Sequence, residues 1–265
     1  MKNKFKIIAI DIDGTLKSDS NSDESHTIRI LNQCRNLGIK IVVATGRSYM
    51  SALDYLHNFI DIDYLISFQG ALVTEKLSNH SLWHRHITYE NINATINELR
   101  NHEVQIVLYS DNDMYVENIT SWSISYAERN DIEMILVDDL LDLNIPTYRV
   151  LAVGDKSVIQ NIEKIMKSRY ATDVYATRSL ANFCEILNRE AGKEQALQWI
   201  CSQMSISRNE VIAFGNGFND IEMLNWAGVG VAMANSEKEI VNIADLVIKT
   251  SVSEYLEFLI ENNKI

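Results

Sequence analysis

The chain reads as an α/β protein: a doubly wound layer of parallel strands with a second, α+β unit inserted into it. Two observations carry this reading. Short apolar runs that are continuous rather than alternating recur with helix-period stretches between them, as strands covered on both faces require. Between residues 84 and 188 the pattern changes to paired runs around turns, and the continuous runs resume only near residue 211.

Taken in order, the first run is Phe5 to Ile10. It follows a basic start, yet Asp11 cuts it short and no small-residue cleavage site comes after it, so it is expected to be a strand and not a leader. A helix is expected over 24–37, with Gly38 where a left-handed C-cap is wanted, then a strand over Ile39 to Ala44 and a helix over 48–59. Inside the insert, Val104 to Tyr109 and Met114 to Glu117 flank the turn Ser110-Asp111-Asn112-Asp113 as a hairpin would. Helices near 90–101, 119–130 and 156–168 alternate there with strands at Tyr148 to Val153, Val174 to Ala176 and Asn182 to Leu187. The core pattern returns with a helix over 193–204, a strand at Val211 to Phe214, a helix over 219–226, a strand at Val229 to Met233, a helix over 236–243 and a strand at Leu246 to Ile248. The expected division is therefore a core of residues 1–83 and 189–265 and an inserted unit of 84–188.

Composition narrows the function. The 265 residues are 46% hydrophobic and 23% charged, an ordinary globular balance. Lys and Arg number 24 against 36 Asp and Glu, a net charge of −12. That surplus argues against nucleic acid or an anionic membrane as the main partner, since phosphate backbones are held chiefly by Lys and Arg. No apolar stretch reaches membrane-spanning length. Cys34, Cys184 and Cys201 are odd in number and widely spaced, which suggests neither a disulfide framework nor a zinc knuckle, and a cytoplasmic location is expected. No motif bears on oligomeric state.

Four short elements sit where strands end, and in an open α/β sheet the carboxyl edge is where ligands bind. The strongest is Asp11-Ile12-Asp13-Gly14-Thr15. Carboxylates two residues apart on an extended strand share a side and need a cation or a shared proton between them. Thr45-Gly46-Arg47 offers a hydroxyl and free amides at a helix start, an anion site. Lys193 falls in the first turn of an amphipathic helix, where the helix dipole opposes a cation. Alone it reads more readily as a snorkelling surface residue; beside the others it suits a bound phosphate. Gly215-Asn216-Gly217-Phe218-Asn219-Asp220 combines glycines with oxygen ligands suited to Mg²⁺, and is not a dinucleotide fingerprint because Asp stands where the third Gly belongs.

Together these four ordered motifs resemble those of the haloacid dehalogenase superfamily, and most of all its Cof-type, subclass IIB phosphatases. The resemblance covers nearly all of the core, including Val231 to Asn235, and is weak through the insert. It implies a Rossmann-like core with an α/β cap inserted between the second and third motifs. It implies a Mg²⁺-dependent phosphatase of small phosphorylated metabolites, sugar phosphates among them. In that scheme Asp11 is the nucleophile that becomes an aspartyl-phosphate, and Asp13 is the acid that protonates the leaving oxygen and then activates water. The Ile12 and Gly46 amides, Thr45, Lys193 and Asn219 hold the phosphoryl group, and Asp11, the Asp13 carbonyl, Asn216 and Asp220 form the metal site. Two positions depart from the pattern: Asn216 stands where an Asp is usual, and Gln69-Gly70 where Asn-Gly is common. The alternatives are a phosphomutase using the same intermediate and a catalytically weakened phosphate-binding regulator, the latter raised by Asn216. A response-regulator receiver would need an acid near Ser67-Phe68-Gln69, where there is none. His84 and His86 can share a strand face but lack a Cys or carboxylate at zinc spacing. Glu98, Glu103, Asp138 and Asp139 read as solvated faces.

Overall fold

The computed structural model describes residues 4–17, 24–56, 61–76, 80–111 and 113–265. Along the chain these form β1 (Ile7–Ile10), α1 (Glu24–Asn36), β2 (Lys40–Ala44), α2 (Tyr49–Leu56), β3 (Tyr64–Ser67), β4 (Leu72–Glu75), β5 (Ser81–His84), α3 (Tyr89–Leu99), β6 (Gln105–Ser110), β7 (Asp113–Val116), α4 (Ser121–Asn130) and β8 (Glu133–Leu136). There follow β9 (Arg149–Val153), α5 (Lys156–Arg169), β10 (Val174–Thr177), β11 (Phe183–Asn188), α6 (Lys193–Gln203), β12 (Val211–Gly215), α7 (Ile221–Trp226), β13 (Val229–Met233), α8 (Lys238–Ile243), β14 (Leu246–Ile248) and α9 (Val252–Glu261).

One sheet has the order β14-β13-β12-β1-β2-β3-β4-β5, parallel from β14 to β3. The continuous apolar runs are explained by cover on both faces. Ile8, Ile10, Ile41 and Phe214 point to the side of α1 and α9, where Ile30, Leu31, Leu256 and Leu259 meet them. Ile7, Ala9, Val42 and Ala213 point the other way, against Ala196, Leu197 and Ile200 of α6 and Met223 and Leu224 of α7. At one edge β4 and β5 run antiparallel, which the apolar runs do not announce. These strands are short and end in Glu75 and His84, so they break the continuous pattern.

The second sheet has the order β10-β11-β9-β6-β7-β8 and is antiparallel except between β7 and β8. The hairpin β6–β7 forms around the expected turn, whose Asn112 lies outside the described residues. On one face α3 and α5 bury Ile92, Ile96, Ile159 and Ile162 against Ile106, Leu108, Val150, Ala152 and Ile186. Its other face, with Val107, Tyr109, Leu151 and Phe183, joins the main core cluster.

Several boundaries differ from expectation. α2 closes at Leu56, and residues 57–59 of that helix expectation lie outside the described set. α7 and α8 begin two residues late, because a single 3₁₀ turn over Phe218–Asp220 precedes the first and a turn from Met233 to Ser236 precedes the second. Gly38 does cap α1: its φ is +83°, and the Gly38 and Ile39 amides return to the carbonyls of Arg35 and Cys34. Glu98 is not merely solvated, since it accepts from the Tyr170 hydroxyl at 3.1 Å and lies near His102 and Arg169. Among the described residues no helix is long and apolar enough to cross a membrane.

Candidate active site

β1 lies between β12 and β2, so crossovers leave it in opposite directions and open a crevice at its carboxyl end. Asp11 is the first residue past that end. Its amide still bonds the Phe214 carbonyl at 3.0 Å, which continues the sheet by one residue and fixes where the carboxylate stands.

Lys193, the first residue of α6, is fully buried. Its Nζ donates to Asp11 Oδ1 at 2.7 Å and to Asp220 Oδ1 at 2.6 Å. Burial on its own would discharge the amine, but the two carboxylates outweigh it and raise its pKa, so the ammonium persists. The reading of Lys193 as a snorkelling surface residue is therefore wrong. Asp11 is pushed up to about 7, by burial first and by the charge of Asp220 next, against the pull of Lys193. The other oxygen of Asp220 accepts from the Asn216 and Gly217 amides at 3.0 and 2.9 Å. The 215–220 loop is thus folded around its own carboxylate. Asn216 turns its Oδ1 to the Thr15 hydroxyl at 3.1 Å and lines the cavity beside Asp11.

Asp13 is exposed, and its carboxylate sits in the fork of Arg47, Nε to Oδ2 at 2.8 Å and Nη2 to Oδ1 at 2.6 Å. Thr45 is buried, and its Oγ1 accepts the Arg47 amide at 3.1 Å. The carbonyl of Ile12 takes the Thr15 and Lys17 amides, which curls the 11–17 segment into a tight loop. Asn219 donates from Nδ2 to Gln69 Oε1 at 3.0 Å.

A cavity of about 490 Å³ opens here. Asp11, Asp13, Gly46, Asn216 and Asn219 line it, Lys193 and Asp220 are buried in the hydrogen-bonded group that ends on Asp11, and Thr45 and Ile12 are buried beside lining residues in the chain. Across it stand Tyr126, Arg129, Leu180 and Phe183 of the inserted segment. The residues of the four motifs therefore gather around one crevice, whereas His84, His86 and Glu98 do not line it. Among the lining residues that carried no sequence signal are Arg149 and Glu185, a buried ion pair at 2.6 Å on β9 and β11. Each is a lone charge in an apolar strand, 36 residues apart, and only the pairing of β9 with β11 makes them neighbours.

Asp11, Asn216 and the Asp13 carbonyl offer oxygen atoms, a hard donor set of the kind that fits a small divalent cation, while both oxygens of Asp220 are engaged by Lys193 and by the Asn216 and Gly217 amides. Among the described residues no group of three His, Cys, Asp or Glu is placed to hold a metal. The His84 and His86 rings lie tilted with centroids 5.1 Å apart, and the His86 and Tyr148 rings with centroids 4.4 Å apart, beside the junction of the two sheets.

The family described as haloacid dehalogenase-like hydrolase matches residues 8–254. Phosphatase YwpJ of Bacillus subtilis is 28% identical over 93% of this chain and 95% of its own. From the same organism, the 5-amino-6-(5-phospho-D-ribitylamino)uracil phosphatase YitU is 25% identical over 95% of this chain and 94% of its own. Among solved structures, a sugar phosphatase of subclass IIB superposes with a TM-score of 0.79 at 22% identity, covering 98% of this chain and 100% of that one. With the family spanning nearly the whole length and its motif residues gathered in one crevice, the chain belongs to the haloacid dehalogenase-like hydrolases and is a phosphatase.

Proposed function

We propose that this phosphatase is Mg²⁺-dependent, acts on small phosphorylated metabolites of the sugar-phosphate kind, and works through an aspartyl-phosphate on Asp11. The observation that carries the reading is the buried constellation Asp11–Lys193–Asp220 at the end of β1, with Asp13 on the open side. In this reading residues 1–83 and 189–265 are the catalytic core and 84–188 a cap over the leaving group. YitU and the subclass IIB sugar phosphatase, both named for phosphorylated polyol or sugar compounds, support the substrate class.

Asp11, the Asp13 carbonyl and Asn216 would hold the cation, with Asp220 behind them. Bound there, Mg²⁺ would supply positive charge that offsets repulsion between Asp11 and a phosphate dianion. Lys193 adds a second cation on the same side. The Thr45 hydroxyl, the Ile12 and Gly46 amides and Asn219 receive the phosphoryl oxygens. An Asp11 carboxylate oxygen attacks phosphorus, the bond to the leaving oxygen breaks, and Asp13 gives that oxygen its proton. Asp13, then a carboxylate, takes a proton from the water that attacks the aspartyl-phosphate, releasing inorganic phosphate and free Asp11. The Arg47 fork takes one lone pair on each oxygen of Asp13 and orients the carboxyl, leaving the other lone pairs for proton transfer.

Turnover of p-nitrophenyl phosphate with Mg²⁺, followed by a panel of sugar and polyol phosphates, tests the reading. Asp11→Asn should fold and be inactive. A phospho-enzyme trapped in Asp11→Asn would overturn the assignment of the nucleophile.

A further inference from the structure

The inserted sheet alternates in the usual way, and on β9 and β11 the odd-numbered residues Arg149, Leu151, Phe183, Glu185 and Leu187 share the face that joins the main core cluster. Two of these are charged and almost wholly buried, Arg149 at 3% and Glu185 at 2% side-chain exposure. Arg149 lies with its guanidinium 4.2 Å from the Tyr109 ring and 5.7 Å from the Phe68 ring. Its Nη1 donates both to Glu185 Oε2 at 2.6 Å and to the Gly46 carbonyl at 2.8 Å. The second oxygen of Glu185 accepts from Gln69 Nε2 at 2.8 Å. Gln69 in turn accepts at Oε1 from Asn219 Nδ2 at 3.0 Å.

The order of donors in this chain has one source. A carboxylate only accepts, so Gln69 must turn its NH₂ to Glu185 and is left with its oxygen facing Asn219. Asn219 must then turn its NH₂ to Gln69. One of the two Nδ2 hydrogens is used there, and the other remains for a phosphoryl oxygen. A single buried charge on the inserted sheet thereby sets which way a phosphate-binding amide points. Gln69 can reach both partners because its backbone takes a left-handed conformation, φ +55°, between β3 and β4. At the other end, the Arg149 bond to the Gly46 carbonyl fixes the Gly46–Arg47 peptide in the loop that carries Thr45.

We propose that Glu185 and Arg149 are positioning residues for phosphoryl transfer: Glu185 orients the Asn219 amide through Gln69, and Arg149 holds the Thr45–Arg47 loop through the Gly46 carbonyl. Both contacts cross from the inserted sheet to the core, so the phosphate site is complete only with the two sheets together. The inference rests on the reading of Asn219 as a ligand of the phosphoryl group.

A double-mutant cycle separates positioning from plain structural support. Glu185→Gln keeps the shape but lets the relay run in either direction. It should lower kcat/KM for p-nitrophenyl phosphate about tenfold, the scale of one lost hydrogen bond. In an Asn219→Ala background the same substitution should cost less than about twofold, because the group it orients is gone. Gln69→Met, which cuts the relay and leaves the ion pair, should show the same pattern and replaces Glu185→Gln if that variant does not fold. Equal losses in both backgrounds, or less than a twofold loss in the parent, overturn the proposal. An Asn219→Ala protein as active as the parent overturns the reading of Asn219 instead.

Discussion

Lys193 balances two acids at once, and its removal should be felt in the chemistry. Lys193→Ala leaves Asp11 and Asp220 without their shared partner and takes a cation from beside the transferring group. We expect kcat/KM to fall about 10²-fold or more, as for the loss of other single electrostatic contacts to a transition state. Steady-state kinetics check this, and a loss within about twofold would return Lys193 to a purely structural role. Asn216 gives the complementary test. Its Oδ1 already accepts from Thr15, and Asp at the same place keeps that acceptor while adding a charge beside Asp11. Two unit charges about 4 Å apart interact by roughly 4 kcal/mol at an effective dielectric near 20, before desolvation is subtracted. A quarter of that is enough for Asn216→Asp to lower the Mg²⁺ concentration at half-maximal activity by about fivefold to tenfold, with substrate KM level or higher. A magnesium titration in which the variant needs as much metal as the parent would show that residue 216 does not face the ion. The acids, the threonine, the lysine and the 215–220 loop were all legible in the sequence, because each lies within a few residues of a strand end. Arg149 and Glu185 were not, because their meaning depends on strand pairing.

At the scale of elements, the continuous apolar runs located β1, β2, β12 and β13, since strands buried on both faces have no polar alternation, and also the edge strand β14, where Leu246 and Val247 are exposed and only Ile248 is buried. The same rule passed over β3, β4 and β5, where Tyr64, Glu75, Ser81 and His84 interrupt the pattern at the sheet's less enclosed edge. It also missed β8, whose Glu133 and Leu136 are exposed at the edge of the inserted sheet. Position along an element matters for two glycines. At Gly38 a Cβ would meet nothing within 4 Å, so Gly38→Ala carries only the left-handed backbone cost, about 1 kcal/mol in chemical denaturation, with turnover unchanged. At Gly70, φ +99°, a Cβ would stand 2.1 Å from the Gly192 carbonyl, where the turn after β3 meets the start of α6. Gly70→Ala should therefore displace Gln69 and Lys193 together and reduce kcat/KM by more than about tenfold, while Gly38→Ala serves as its control.

For the whole molecule, the buried acid of the site makes stability depend on pH. Without metal, Asp11 titrates at about 7 when folded against an ordinary value of 3.8. Between those values the folded chain binds more protons than the unfolded one, so stability is greatest at the acid end and falls as pH rises toward 7. Thermal unfolding of chelator-treated protein from pH 5 to 7.5 should show this decline, and Asp11→Asn should lack that component. Saturating Mg²⁺ should also reduce it, because cation binding favours the ionised acid. An equal slope in parent and Asp11→Asn would assign the effect elsewhere. The same view of the molecule gives one feature a longer reach. Where the chain leaves the large sheet and where it returns, the two passages are laced together: the Asn188 side chain bonds the His86 carbonyl at 2.7 Å, and Arg85 pairs with Glu190 at 2.7 Å. The chain thus enters and leaves the inserted segment at one stem, beside the contacts that Arg149 and Glu185 make to the core. Exchange of the gene segment between these two crossings would bring in a roof of another size or chemistry while the core elements that carry Asp11, Thr45, Lys193 and Asp220 keep their register, provided the new roof restores the contacts that Glu185 and Arg149 make to Gln69 and Gly46. One set of phosphoryl-transfer parts could in this way acquire many different substrates by exchange of what lies above it.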